Sequence, residues 1–300
     1  MTGSSDTQRP PGRVIGVDLG GTKILTGVVD DAGSVHDTVE HPTPVGSQND
    51  LLDALERVVS ESLRPGIDAV GFGIPARIDQ KTGLALGAVN IPLHNVPFVA
   101  EMERRLGVRV AVANDASAAA LGEFRFGAGR GSTDMVMLTL GTGVGGGVVI
   151  AGRLYPGWSE LGHMVIVEDG EPCQGTCSGH GHVEAYCSGL AAERLARAAL
   201  GPSATAHDLV EQRHPALEEI GRHLGVAIAG LVNIFGPDIV VVGGGFGIGA
   251  GELLLEPARR VLATEALRPG GSIPVVRAEL GERAGLVGAG LLALEALGSA

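Results

Sequence analysis

Cysteine is scarce in this sequence, and its scarcity excludes one class of fold. Three cysteines in 300 residues cannot form the disulfide framework of a small secreted domain. Two of them, Cys173 and Cys177, share a ten-residue window with two histidines in the stretch CQGTCSGHGHVE. In a reducing compartment, cysteines clustered in this way favour a metal site over a disulfide.

Basic residues are also few compared with acidic ones. The chain has 22 basic and 34 acidic residues, which gives a net charge of -12. Such a surface repels the phosphate backbone of nucleic acids and disfavours anionic membranes. We therefore expect neither a nucleic acid nor a membrane among the partners.

Long apolar segments are missing as well. The run 135–151 contains five glycines and two threonines and is shorter than the ~20 residues of a membrane helix. It predicts two buried strands around a turn. Residues 1–12 are polar and contain prolines, without the apolar centre of a signal peptide. We expect them to be a disordered lead-in to a cytoplasmic protein.

Alternating strands, helices and glycine turns fill the rest of the chain. Residue spacing predicts strands at 14–18, 24–30, 34–40, 69–74, 108–113, 134–140, 145–151, 239–242 and 273–278. It predicts helices at 47–63, 97–106, 215–235, 253–266 and 284–297. Each half of the chain begins with a strand, a glycine turn and a returning strand. This doubling resembles the duplicated actin-like ATPase (ribonuclease H-like) fold, an α/β fold with two domains around a cleft.

Two glycine turns are candidates for binding phosphate. In DLGGTK (18–23), glycines allow close backbone approach, Thr22 can donate a hydrogen bond, and Asp18 can position hydrated Mg²⁺. LGTGVGGG (140–147) repeats this chemistry in the second half. Each alone could be an ordinary hairpin turn, but opposed turns can grip phosphates with their N–H groups. The glycines 243–245 follow a buried strand, where a nucleotide contact or a simple bend would fit.

The stretch VANDASAAALGE places Asn114 and Asp115 at the end of a strand. A carboxylate at this point of a cleft can accept a proton from a substrate hydroxyl, while Asn114 orients the substrate. The alternative is that Asp115 only caps the following helix. The position between two phosphate turns favours the catalytic role.

The Cys/His stretch has the donors for a tetrahedral metal site. His163, Cys173, Cys177 and His182 supply two nitrogens and two sulfurs, which suit Zn²⁺. His180 could replace His182, and spacing alone does not choose between them. A redox pair and a metal-free loop are the alternatives. Glu160 and Glu184 bracket the cluster and could accept hydrogen bonds from sugar hydroxyls.

These motifs together resemble the ROK family of sugar kinases and repressors. The segments that carry the resemblance are DLGGTK, NDASAAALGE, LGTGVGGGVVIAGRLYPGWSELGH and the Cys/His cluster, and they cover about residues 13–297 in the family's order. The resemblance implies ATP-dependent phosphorylation of a hexose, most often glucose, at its 6-hydroxyl. Mg²⁺, a structural Zn²⁺ and a homodimer are implied with it.

Roles for individual residues follow from the resemblance. It implies that Asp115 is the general base and that the sugar is held by Asn90, Asn114, Asp115, Glu160, His163 and Glu184. It implies that ATP is bound by Asp18, Gly20, Gly21, Thr22, Lys23, Gly141, Thr142, Gly143, Gly243, Gly244 and Gly245. The predicted domains are 13–116 with 285–300, and a larger 117–284 that carries the zinc-binding insertion.

The sequence departs from the family's pattern in two places. The usual zinc run is C-x-C-G-x-x-G-C-x-E, whereas here His182 stands at the last cysteine's position. In GIPARIDQKTG (73–83), Ala76 and Arg77 replace a Gly-Pro pair in a loop that borders the sugar. This second departure leaves mannose, fructose and N-acetylated hexosamines open as substrates beside glucose.

Two further functions compete with an ATP-dependent kinase. Repressors of the family carry a helix-turn-helix ahead of the sugar-binding body, and we expect no room for one in the seventeen residues before Asp18. A kinase that uses polyphosphate would favour a basic groove, and we expect too few clustered cations in this chain to build one.

Overall fold

The computed structural model describes residues 13–298, and the predicted lead-in at 1–12 lies outside this range. The strands are β1 (Arg13–Leu19), β2 (Lys23–Asp30), β3 (Val35–Pro42), β4 (Ile67–Ile74), β5 (Ala76–Asp79), β6 (Leu84–Ala88), β7 (His94–Val96), β8 (Arg109–Asn114), β9 (Met135–Leu140), β10 (Val144–Ile150), β11 (Arg153–Leu154), β12 (Ile239–Gly243) and β13 (Val275–Arg277). The helices are α1 (Gln48–Ser62), α2 (Phe98–Leu106), α3 (Asp115–Phe126), α4 (Val183–Cys187), α5 (Gly189–Leu200), α6 (Ala206–Glu211), α7 (Ala216–Phe235), α8 (Gly245–Ala250), α9 (Glu252–Glu265) and α10 (Ala284–Gly298).

The two large sheets have the same topology. Their strand orders are β3-β2-β1-β4-β8 and β11-β10-β9-β12-β13. In each sheet the first three strands pair antiparallel and the last three pair parallel. The duplication predicted from the two strand, glycine turn, strand units is therefore confirmed. The exact domain limits stay a prediction.

The apolar run 135–151 forms β9 and β10, as predicted. Val144 pairs with Leu140 at the turn, and most of both strands is buried. Burial on both faces explains why the run is apolar throughout. Within residues 13–298, no helix has the length and apolar character needed to cross a membrane.

A third sheet, β5-β6-β7, was not predicted. Its three strands are short. The pairing of β5 with β6 contains a register shift, and a bend at 89–93 separates β6 from β7. Sequence patterns of three to five residues are too short to identify such strands. The sheet follows β4 directly and lines one side of the space between the two large sheets.

Helix α10 packs directly on backbone. A Cβ atom added at Gly71 of β4 would lie 1.8 Å from the Ala289 carbonyl oxygen, and one at Gly288 would lie 1.7 Å from the Ala118 carbonyl oxygen. Glycine is thus required where α10 crosses the first sheet and α3. Through these contacts the last helix of the chain is fixed to the first half.

The junction of β8 and α3 sets the position of the predicted base. Asn114 caps α3, since its Oδ1 accepts hydrogen bonds from the N–H groups of Ala116 (3.0 Å) and Ser117 (3.3 Å). Asp115 is the first residue of the helix and not its cap. The capping function considered for Asp115 therefore belongs to its neighbour, and the Asp115 carboxylate is left to face the space between the sheets.

Candidate active site

A cleft of about 810 Å³ lies between the two large sheets and is lined by residues of both. It brings together Gly21, Asn90, Asn114, Asp115, Gly141, Thr142, Gly143, Glu160, His163, Cys177, Glu184 and Gly244 from the predicted set. In the described chain, the other predicted residues do not line its wall, namely Asp18, Gly20, Thr22, Lys23, Cys173, His182, Gly243 and Gly245. Carboxylates, amides and glycine turns therefore converge on one space, as a site for a sugar and a phosphate chain requires.

Asp115 occupies the inner part of this cleft. Burial raises the pKa of its carboxyl above the ordinary value, opposed by the Ala116 N–H, and the negative charge of Glu160 raises it further. One carboxylate oxygen lies 2.9 Å from the Ala116 N–H. A carboxylate with a raised pKa is a better proton acceptor, which suits a general base.

Asp18 is a second buried carboxylate near Asp115. Burial, with the negative charge of Asp115, raises the pKa of Asp18 to about 7. Gly73 separates the two residues, and a Cβ there would lie 3.6 Å from Asp115 Cα and 3.9 Å from Asp18 Oδ1. Two carboxylates this close to each other repel, and a cation between them would relieve the repulsion.

The first glycine turn is only partly available to a phosphate. The Gly20 N–H donates to the Lys23 carbonyl at 2.8 Å, and the Thr43 hydroxyl donates to the Gly20 carbonyl at 2.8 Å. These bonds fix the turn and leave Gly21 and Thr22 as its possible N–H donors. Of this turn, Gly21 lines the cleft.

Lys23 does not point into the cleft. Its Nζ lies 3.2 Å from a Glu40 carboxylate oxygen on the neighbouring strand and 3.9 Å from Glu282. Its predicted contact with a nucleotide stays a prediction, and it would require Lys23 to leave these acidic partners. The antiparallel pairing of β2 with β3 places the first of these partners within reach.

The second glycine turn is tied to Glu184. The Gly141 N–H donates to the Gly143 carbonyl at 3.0 Å, and the Val144 N–H donates to Glu184 Oε2 at 2.8 Å. A Cβ at Gly143 would lie 2.2 Å from the same oxygen, so a larger residue there would displace the Glu184 carboxylate. Glu184, predicted as a sugar ligand, thus also holds the turn in place with one of its two oxygens.

Glu160 and His163 line the same part of the cleft, at either end of one turn. Burial raises the pKa of Glu160, while the positive charges of His163 and Arg77 oppose the shift. Leu161–His163 form a single 3-10 turn, which places the His163 ring between the cleft wall and the Cys/His cluster. A carboxylate and a ring nitrogen placed side by side can bind adjacent sugar hydroxyls.

The four predicted metal ligands converge. The ligand atoms of His163, Cys173, Cys177 and His182 lie within 4.8 Å of one another. His163 Nδ1 is 3.2 Å from His182 Nδ1 and 3.6 Å from Cys173 Sγ, and Cys177 Sγ is 3.6 Å from His182 Nδ1. A tetrahedral Zn²⁺ with bonds of 2.0 to 2.3 Å separates its ligands by about 3.3 to 3.8 Å. The donor set therefore fits zinc, and it contains His182 and not His180.

Several residues of the cleft wall were not predicted as site residues from the sequence, and three of them lie beside one another. Arg77, Trp158 and Ser159 line the cleft beside Glu160. In the sequence, Arg77 stands out only as a departure from the family's pattern, and Trp158 only as part of a motif. The one available signal was that Trp158 is the chain's single tryptophan.

Comparisons with known proteins agree with the site. The ROK family matches residues 14–296. A glucokinase of Streptomyces coelicolor is 37% identical over 320 residues, which cover 95% of this chain and 98% of that protein. The crystal structure of a ROK family glucokinase from Streptomyces griseus, solved with glucose and AMPPNP, is 36% identical with a TM-score of 0.81 and covers 95% of this chain and 100% of that one. A ROK hexokinase from Thermus thermophilus is 35% identical with a TM-score of 0.82, with coverage of 96% and 100%.

The fold and the cleft first define the structural class of the protein, and the family follows within that class. Two sheets of equal topology around a cleft form the duplicated actin-like ATPase fold, as predicted. Within this class, the chain belongs to the ROK family, which confirms the resemblance seen in its motifs.

Proposed function

We propose that this protein is an ATP-dependent hexose kinase, and specifically a glucokinase that transfers the γ-phosphate of ATP to the 6-hydroxyl of glucose. The observation that carries the proposal is the position of Asp115, which faces the same cleft as both glycine turns and the Glu160, His163 and Glu184 group. The glucokinases and the hexokinase to which the chain is similar support it.

In this proposal Asp115 accepts the proton of the 6-hydroxyl as that oxygen attacks the γ-phosphorus in line. The raised pKa of the carboxyl favours proton transfer. N–H groups of the turns at Gly21 and Thr142 stabilise the charge on the phosphoryl oxygens. Asp18 would hold hydrated Mg²⁺, which would neutralise charge on the phosphates, and the repulsion between Asp18 and Asp115 fits a cation at this point.

Three residues are proposed to select the sugar. His163 Nδ1 faces the metal cluster, so its Nε2 is left to meet a sugar hydroxyl. Glu160 and the Oε1 atom of Glu184, which is not used by the turn, accept from neighbouring hydroxyls. Pockets that hydrogen-bond hydroxyls reject sugars lacking them far more strongly than pockets that sort methylenes. Asn90 and Asn114 complete the wall around the sugar.

A substrate and donor screen tests the proposed reaction. Glucose, mannose, fructose and N-acetylated hexosamines are each incubated with MgATP or polyphosphate, and products are identified by ³¹P NMR. We expect glucose 6-phosphate and ADP from glucose with MgATP. A higher kcat/KM for another hexose, or for polyphosphate, would replace glucose or ATP in the proposal, and no turnover with any pair would contradict it.

The proposal includes a structural Zn²⁺ held by His163, Cys173, Cys177 and His182. The ligand spacing supports it, and His180 offers a matched control because its ring is outside the cluster. His182→Ala should lose the zinc that the wild type contains by mass spectrometry, whereas His180→Ala should keep it. Equal zinc loss in both variants, or none in either, would refute this ligand set.

The family resemblance further leads us to propose a cytoplasmic homodimer. Light scattering on the purified chain tests the oligomeric state. We expect twice the 30.4 kDa mass of one chain.

A further inference from the structure

Arg77 and Trp158 meet across the mouth of the cleft. The guanidinium carbon of Arg77 lies 5.7 Å from the centroid of the Trp158 ring. Arg77 belongs to β5, which follows the first large sheet, and Trp158 lies after β11 of the second. Both line the cleft, and Trp158 keeps 55% of its surface exposed. The contact therefore bridges the two halves at the opening.

Arg77 has no carboxylate partner at ion-pair distance in the described chain. Its stacking on Trp158 is a cation–π contact, and its charge also acts on Glu160, where it opposes the rise in pKa that burial causes. An arginine that is unpaired and faces a sugar-binding carboxylate is free to respond to a ligand.

The turn that presents Trp158 and Glu160 is held in an unusual conformation. Ser159, between them, has a φ of 48°, and its buried hydroxyl has no hydrogen-bond partner. Such backbone strain persists only where the surroundings determine it, and it concentrates at ligand sites. The strained turn fixes the indole and the carboxylate relative to each other, so a shift of one moves the other.

We propose that Arg77 and Trp158 form a clamp across the mouth of the hexose pocket, in which Arg77 is a positioning residue that holds Trp158 and Glu160 against the bound sugar. This inference rests on the proposed function. The clamp raises affinity for the hexose and has no part in the phosphoryl transfer, which is proposed to take place at Asp115 and the glycine turns.

Variants of Arg77 separate a clamp from an incidental contact. Arg77→Leu removes the charge and keeps the apolar bulk. We expect the KM for glucose to rise about fivefold, in line with the loss of a cation–π contact, with kcat and the KM for ATP unchanged. Arg64→Leu is the control, because Arg64 pairs with Asp37 at a distance from the cleft and should alter neither KM.

The single tryptophan gives a second readout. Because Trp158 is the chain's only indole, intrinsic fluorescence reports the clamp directly. Glucose should shift the emission of the wild type, and Arg77→Leu should lose most of this shift. Trp158→Leu should raise the KM for glucose as much as Arg77→Leu does. The KM of the double variant should be no higher than that of either single variant, because both substitutions remove the same contact.

The outcomes distinguish the clamp from the kinase proposal. An active Arg77→Leu with unchanged KM for glucose and an unchanged fluorescence shift would overturn the clamp and leave the kinase standing. Fully additive effects of the two substitutions on the KM for glucose would also overturn the clamp. A wild type that phosphorylates no hexose would instead refute the proposed function on which the clamp rests.

Discussion

Asp115 is the residue on which the proposed chemistry depends. Asp115→Asn keeps the size of the side chain and removes its ability to accept a proton. We expect kcat to fall about 10³-fold, within the range for loss of a general base, while glucose binding measured by calorimetry stays within about twofold. A variant that kept a near-normal kcat would show that another group takes the proton.

Asp18 should make stability depend on pH. Its folded-state pKa of about 7 exceeds the ordinary 3.8, so the folded protein binds an extra proton between these values. The free energy of unfolding should therefore fall as the pH rises from about 4 to 7. A shift of this size corresponds to roughly 4 kcal/mol. Because the Asp18 side chain keeps some solvent contact, we expect the free energy of unfolding to change by about half of this amount.

Asp18→Asn tests this dependence. The variant should be more stable than the wild type at pH 8 by about 2 kcal/mol and lose that advantage near pH 4, as measured by urea unfolding. It should also bind MgATP more weakly, since the carboxylate is proposed to hold the metal. The control Asp68→Asn, on an exposed position of β4, should change little at either pH. Equal stability of Asp18→Asn and wild type at pH 8 would argue against a buried, costly charge.

Some of these residues could be placed from sequence and others could not. Asp115 directly follows a predicted strand whose end borders the cleft, so the local sequence pattern is enough to place it. The direction of Lys23 depends on Glu40 of the next strand, and the Arg77 to Trp158 contact joins different halves of the chain. Contacts set by side-chain conformation across the fold leave no periodic signal.

Helix α10 contains a glycine, Gly288, that lies directly against the backbone of α3. Gly288→Ala would place a methyl group 1.7 Å from the Ala118 carbonyl oxygen of α3. We expect the free energy of unfolding to drop by about 3 kcal/mol, because one helix must move away from the other. Gly230→Ala in α7 is the matched control, since nothing lies within 4 Å of the added atom. It should stabilise the protein by about 0.5 to 1 kcal/mol.

Chemical denaturation of both variants decides this point. Similar small effects in the two would mean that α10 is not packed on α3 backbone to backbone. The contrast is sharp because both substitutions introduce the same residue into the interior of a helix and differ only in their neighbours.

Long, strongly patterned elements were predictable, and short ones were not. The bounds of α1, α7 and α10 agree with their spacing to within a residue or two, and so do β1, β9 and β12. The strands β5, β6 and β7 and the helices α4 and α6 span three to six residues each, which is too short for a clear pattern. Their structure depends on packing against the two large sheets, which sequence periodicity does not encode.

The arrangement of the two halves explains how one site can bind two substrates. Each half contributes a glycine turn at the same topological position, so the turns face each other across the cleft. The first half adds Asn114 and Asp115, and the second adds Glu160, His163 and Glu184. Closure of the halves on a sugar would exclude water, which otherwise competes with the sugar hydroxyl for the phosphoryl group.

A crystal structure of the protein with glucose and AMPPNP measures the decisive geometry. We predict that an Asp115 carboxylate oxygen lies within about 3 Å of the glucose 6-hydroxyl, at hydrogen-bonding distance, with the terminal phosphate between the turns at Gly21 and Thr142. A complex in which the 6-hydroxyl is out of reach of Asp115, or in which the phosphates contact neither turn, would contradict the proposed catalytic role of this cleft.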